Sequence, residues 1–523
     1  MRFELDRAVR LAGVRSLLIL QPMTCGRGGG AIGMVTGALT RAAFLLALAL
    51  PAGAATYYVA PSGSDSAAGS QAAPWKTLQK AGNIAGAGDV VNVLPGTYVG
   101  FRPLKSGTAQ APVRFLAQPG VVVNAAGPSN SNGDGIWVRD VDYVVIDGFE
   151  CTGTPRAGVA VQGEPDANAT GNVVRHCFCH HNSRWGIFTA FARDLLLEDN
   201  ETSYSAIEHG IYVSNSGDRP IVRRNHAHHN NASGIQLNAD AAQMGDDPND
   251  PQGDGIIEDA LVEANIIHDN GAAGGASINL ATVRGSIIRN NLIYGNQSTG
   301  IAGWDDGDGN QYGTRDNRIV GNTIVQPSSA RFAISLKNGS TGNEIFGNIL
   351  LHLGTRGSIE ADPSSQPGLV SDYNIVNNRF SDDDLFLTLA EWRALDANFD
   401  PHSIVATAAA VFVNVATNDY HLSASSPARD AGTSLIDLPT DLAAVARPQG
   451  AKFDIGAYEL TGAATSTATP SAPTATPTPI VTRRVSGALR YYHGGGAVAG
   501  VTLTLSGAAT LSTSSDASGA YAF

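Results

Sequence analysis

A chain of 523 residues with 60 glycines and only five lysines suits several domains or one solenoid with appendages, and it argues for turn-rich β structure over helical bundles. Its formal net charge of −13 disfavours nucleic acid and anionic membranes as partners. An acidic polysaccharide would be repelled as well unless a cation bridged the two.

The N-terminus carries a targeting pattern. The run "RAAFLLALAL" (41–50) follows Arg41 and leads into "PAGAA" (51–55), small residues suited to a signal peptidase. The apolar run is too short to span a bilayer. Met34 opens a leader of ordinary form, so 1–33 is read as an upstream extension and 1–55 as the leader. Its removal leaves 28 basic against 45 acidic residues, a net charge of −17. The expected protein is secreted, extracellular or at the cell surface, monomeric, and without a transmembrane segment after cleavage. Cys151, Cys177 and Cys179 remain. One disulfide is compatible with secretion, but buried thiols acting as small core residues are the favoured reading.

From Gly148 onward the chain repeats. The segments "LLEDNETSYS" (196–205), "IVRRNHAHHN" (221–230), "LVEANIIHDN" (261–270) and "IIRNNLIYGN" (287–296) align on one column. Its members are Cys177, Asn200, Asn225, Asn265, Asn291, Asn322 and Asn348, at steps of 23 to 40 residues. Each is followed by a second apolar run such as "GIYVSN", "GIQLNA" or "AISLKN". Short alternating strands with Asn/Gly turns indicate a β-solenoid. Asn suits a repeated turn because it tolerates left-handed backbone and its amide can bond from coil to coil.

Strand alternation then sorts the faces. Ile211, Val213, Ile235, Leu237, Ile278, Leu280, Ile334 and Leu336 should point inward. Phe188, Tyr212, Gln236, Asn279 and Ser335 should form one outer column. Ser214, Asn238, Trp304 and Lys337 should form the next. Aromatics among amides suit a sugar chain; a solvated sheet face is the alternative. Tyr212, Gln236, Asn238, Asn279, Trp304 and Ser335 are the candidate substrate-binding residues.

Three constellations could carry chemistry. In "WDDGDGNQYGTRD" (304–316), Asp306, Asp308 and Asn310 alternate beside Asp305 and could converge on calcium, or form an Asx-rich turn. A second acidic loop, 238–255, is an insertion with Asp240, Asp246, Asp247, Asp250 and Asp254, expected to be solvated. His180, His228 and His268 share a column, with His181 and His229 in the next and His209 nearby. Aligned imidazoles could bind a transition metal, act as acid and base, or merely punctuate turns. Lys337, the only lysine between Lys105 and Lys452, should lie one strand spacing from the Asp loop. It is read as either a base or a surface charge.

The pattern "NxIxxNxxxxNxxxGIxL" resembles right-handed parallel β-helix proteins of the pectate-lyase-like superfamily. The segment 57–98 looks like the head of such proteins, with "PWKTLQKAGNIA" (74–85) as a capping helix. "DYHLSASSPARDAGT" (419–433) and "DIGAYEL" (454–460) look like their tail. The resemblance implies an all-β fold with a head at 56–135, repeats at 136–375 and a tail at 376–460. A Thr/Pro/Ala linker at 461–480 follows. The segment 481–523 resembles a small β-sandwich module and stops where such modules normally continue. By similarity to polysaccharide lyase family nine, Lys337 would be the base and Asp305, Asp306 and Asp308 calcium ligands, though no complete lyase motif is present. The expected function is a calcium-assisted lyase acting by β-elimination on a uronate-containing polysaccharide such as pectate or alginate. The alternatives are a non-catalytic carbohydrate-binding or cell-surface protein, and a glycoside hydrolase or uronan epimerase.

Overall fold

The computed structural model describes residues 53–461 except 129, 131, 166, 242–253, 306–308 and 435–437, together with 486–488, 502–505, 511–514, 516 and 520–522. Each repeat folds into three short strands. In one coil these are Val173–Arg175, Phe178–His180 and Trp185–Ala190; in the next, Leu196–Glu198, Glu201–Ser203 and Ile211–Ser214. Like strands pair in parallel, coil upon coil. Among the described residues this builds three long sheets of twelve, twelve and eleven strands. The chain is therefore a parallel β-helix. Alternation sends Val174, Cys179 and Ile187 inward, and one apolar core runs continuously from Val59 to Phe399.

The asparagine column forms an internal wall. Asn225 donates its side-chain amide to the Leu197 carbonyl at 2.9 Å and to Asn265 Oδ1 at 3.1 Å. The same contact recurs through Asn291, Asn322 and Asn348 to Asn374, one coil past the expected end of the series. A parallel wall joins Asn230, Asn270 and Asn296. The left-handed backbone expected of these asparagines falls one residue earlier instead. His176, Asp199, Arg224, Ala264 and Asn290 carry φ between 50° and 57°. The preceding residue makes the corner, which frees the asparagine to point inward and satisfy buried backbone groups.

Within 74–85 the helix spans Leu78–Ile84. The Thr77 side chain accepts from the Lys80 N–H, and Leu78 and Ala81 are buried. At the other end, the antiparallel strands Phe412–Asn414 and Asp419–Leu422 lie in the tail. Phe412, Tyr420, Leu422 and Ile455 pack on Leu292, Val325 and Leu351, so the tail covers the outer face of the second sheet there. Cys151, Cys177 and Cys179 are free, buried thiols. The leader lies outside the described residues. Among those described, no helix is long and apolar enough to cross a membrane. The strands beyond residue 485 belong to a separate unit. There Ser486–Ala488 pairs antiparallel with Ala520–Ala522, and Thr502–Leu505 with Leu511–Ser514.

Candidate active site

The third sheet sets the expected outer columns side by side. Its register runs Phe188, Tyr212, Gln236, Asn279, Ala302, Ser335, Glu360 along one row. The neighbouring row runs Ser214, Asn238, Ala281, Trp304. Lys337 follows one coil later, its N–H donating to the Gly303 carbonyl at 2.9 Å.

The downstream end of this face is an open cleft of about 320 Å³. Asn279, Trp304, Arg331, Ser335, Lys337 and Glu360 line it. Trp304 donates its indole N–H to Asn279 Oδ1 at 3.0 Å, which fixes the ring. Ser335 donates its hydroxyl to Glu360 Oε2 at 2.7 Å. The Lys337 ammonium lies 2.6 Å from Asp383 Oδ1 and 3.6 Å from Glu360 Oε2. Burial of the side chain favours the neutral amine. The hydrogen bond to Asp383 and the Glu360 charge outweigh it and hold Lys337 above the ordinary lysine range. The resting side chain is therefore an ammonium in an ion pair.

Upstream, the same face is closed. Trp137, Trp185 and Phe188 are buried although they point outward. Trp185 and Phe188 stack with centroids 4.3 Å apart, and Tyr212 packs against both. Guanidinium groups cover the rings. Arg156 sits 4.9 Å from the Phe188 centroid and 5.6 Å from that of Trp185, and Arg102 lies 4.8 Å from that of Trp137. Arg156 is held in turn by a two-pronged contact with Asp134 at 2.7 and 2.9 Å. Burial raises the Asp134 carboxyl above its usual range despite that partner. His209, packed on Tyr212, is pushed down to about 4 by burial and by Arg184.

Of the six substrate-binding candidates, Asn279, Trp304 and Ser335 line the cleft. Tyr212, Gln236 and Asn238 continue the face upstream. The Asp loop is described only in part, since Asp306 and Asp308 lie outside the described residues. Asp305 is buried and accepts from the Asn338 side-chain amide at 2.6 Å. Asn310 opens a short helical turn, and its carbonyl accepts from Arg315 at 2.6 Å, with Arg284 on the neighbouring Gln311 carbonyl at 3.2 Å. The carboxylate and amide oxygens here are hard donors of the kind calcium takes, although two guanidiniums brace the turn. In the insertion, Asp246, Asp247 and Asp250 lie outside the described residues. The histidine columns belong to the second sheet and do not line the cleft.

The sequence reading missed Arg331, Glu360 and Asp383. Glu360 was within reach of the pattern, because "SIEAD" (358–362) places it one coil after Ser335 in the same row. Asp383 was not. It stands in the turn between Phe380–Ser381 and Phe386–Leu387, an antiparallel pair outside the repeat.

Comparison with known proteins agrees with the architecture. Residues 57–208 match the family model described as "Pel9A-like, right handed beta helix region". Residues 254–382 match one described as "Periplasmic copper-binding protein (NosD)". The chain is 36% identical over 105 residues to pectate lyase PEL9 of Emericella nidulans, a stretch covering 20% of each chain. The match thus spans about a fifth of that curated relative. The crystal structure of pectate lyase Pel9A superposes with a TM-score of 0.54 at 18% identity, covering 78% of this chain and 97% of that one. The fold is the right-handed parallel β-helix.

Proposed function

We propose that this chain is a secreted polysaccharide-active protein that cleaves a uronate-containing polysaccharide by β-elimination in the cleft beside Trp304. The observation that carries the reading is the convergence of one lysine, one arginine, an indole and amide groups on a single outer face of the β-helix. The similarity to pectate lyase PEL9 and to Pel9A supports the substrate class.

The residues divide the work by their chemistry. Trp304 offers an apolar face to a sugar ring, and Asn279 and Ser335 offer hydrogen bonds to its hydroxyls. The Arg331 guanidinium suits a uronate carboxylate, which it can engage through two parallel N–H donors. Lys337 removes the C5 proton once its amine is neutral. Because Asp383 and Glu360 favour the ammonium, that step requires alkaline conditions or release of the ion pair. Calcium, if held by Asp305, Asp306, Asp308 and Asn310, would neutralise the carboxylate and acidify the C5 proton.

The ion pair also supports a second reading, a carbohydrate-binding protein in which Lys337 only anchors an anionic sugar. One assay separates the two. The full chain is incubated with pectate, alginate and glycosaminoglycans at neutral and alkaline pH, with calcium and then with chelator. The ultraviolet absorbance of unsaturated uronate is followed. Its appearance supports the lyase, and loss with chelator supports the calcium role. Binding without absorbance favours the second reading, and neither on any uronan retires both.

A further inference from the structure

On the second sheet, three successive coils bring polar side chains together far from the repeat's own needs. The strands Glu201–Ser203, His226–His228 and Ile266–His268 pair in parallel. Their register sets Glu201 beside His226, and Ser203, His228 and His268 in one row. Ala227 and Ile267 point into the core, so His226, His228 and His268 all project outward. The strand spacing stacks His228 on His268 with centroids 5.1 Å apart and an interplanar angle of 4°.

Their ligating atoms converge. A Glu201 carboxylate oxygen and one ring nitrogen each from His226 and His228 all lie within 4.8 Å of one another. His228 Nε2 is 3.2 Å from Glu201 Oε1. The Nε2 atoms of His226 and His268 face each other at 2.8 Å. Two imidazole nitrogens bound to one ion at about 2.0–2.1 Å would be separated by about 2.8–3.0 Å at the right angle of a tetragonal copper(II) site and by about 3.3–3.4 Å in a tetrahedron.

The surrounding groups orient these rings. Asp269 Oδ2 lies 2.8 Å from His268 Nδ1, where a carboxylate accepts the ring proton and leaves Nε2 as a lone pair aimed at His226. His229 Nδ1 stands 2.9 Å from His228 Nδ1 and engages that ring on the side away from Glu201. Glu201 is 44% exposed and His228 and His268 are 12% and 14% exposed, so an ion can enter from solvent and keep water in an open position.

We propose that Glu201, His226 and His228 form a binding site for one first-row transition-metal dication of the copper(II) or zinc class, with His268 flanking it against His226. Imidazole with a single carboxylate suits these borderline ions, whereas calcium takes six to eight oxygens. The site joins two coils through side chains alone, and it is independent of the cleft chemistry.

The test strips the full chain with chelator and titrates it with copper(II), following electron paramagnetic resonance and competition with a chromophoric chelator. Zinc(II) is titrated by calorimetry. The expected result is one ion per chain with nitrogen couplings from at least two imidazoles. The pair His226→Gln with His228→Gln should weaken binding more than about 100-fold, and Asp269→Asn about 10-fold. His180→Gln, in the same row two coils from His228 and paired with Ser203, should change nothing. Absence of stoichiometric binding, an oxygen-only spectrum, or affinity lost with His180→Gln but kept in the double variant would overturn the site. Should the double variant fail to fold, the wild-type spectrum and Asp269→Asn still decide the question.

Discussion

The third sheet is one ladder with two unlike halves. Upstream, Trp137, Trp185 and Phe188 point outward yet are buried, because Arg102, Arg156 and their neighbours fold over them. Downstream, Trp304 stays half-buried at the edge of an open cleft, and its neighbours are amides and charges. The backbone is the same in both halves. The difference lies in the side chains that reach across from adjacent coils. Upstream, arginine stems and guanidinium planes spread over aromatic rings and convert a surface into a second small core. Downstream, Arg331 stands at the wall of the cleft and the carboxylates of Glu360 and Asp383 engage the lysine. The first half contributes stability, and the second is shaped for a ligand.

The largest effect should come from the lysine. Lys337→Ala should lower β-elimination by about 10³-fold in the uronate assay while leaving the melting temperature within a few degrees of wild type. Retained cleavage would move the base elsewhere on the face. Arg156→Ala should do the opposite. It strands Asp134, whose side chain is 0% exposed, and should cost about 3 kcal/mol in chemical denaturation. Activity per folded molecule should stay near wild type; a matching loss of turnover would join the two halves into one site.

Asp383→Asn tests the state of Lys337 directly. The Asp383 carboxylate raises the lysine, so removing its charge lowers the lysine toward or below its ordinary value. If Lys337 is the base, the ascending limb of the pH–rate profile should shift to lower pH by about one unit, with activity rising at neutral pH. A profile that keeps its limb, with weaker binding, would fit the anchoring role. Trp304→Ala should raise KM about tenfold with little effect on kcat, the signature of lost binding shared by ground and transition states.

The smallest effect concerns pH and the closed half. His209 is held near 4 in the folded chain, below its unfolded value of about 6.5. The unfolded chain then binds more protons between those values, so stability present above about 6.5 is lost as pH falls toward about 4. With discounting for its partial exposure, His209 should account for about 1 kcal/mol of that loss. His209→Gln should flatten that part of the profile in thermal melts. An unchanged slope would assign the acid sensitivity to other imidazoles held low in the folded chain, among them His352, lowered by burial.

The repeat made much of the fold legible. A short period, written many times, fixes strand register by itself, because a slip of one residue would turn every Ile and Val of the face into solvent. The rows Tyr212–Gln236–Asn279 and Ile211–Ile235–Ile278 therefore follow from alignment alone. So does the asparagine wall, although the corner geometry falls on the residue before each anchor.

What the sequence could not determine is who covers whom. Whether Phe188 is a sugar platform or a buried ring depends on Arg156, which is fixed by Asp134 a coil earlier. How firmly Lys337 is held as an ammonium depends on Asp383, which lies 46 residues away in the hairpin that ends the sheet. Local periodicity specifies backbone pairing and the inner face. Electrostatic environment is a sum over side chains from several coils and irregular turns, and only the assembled structure brings those within reach of one another.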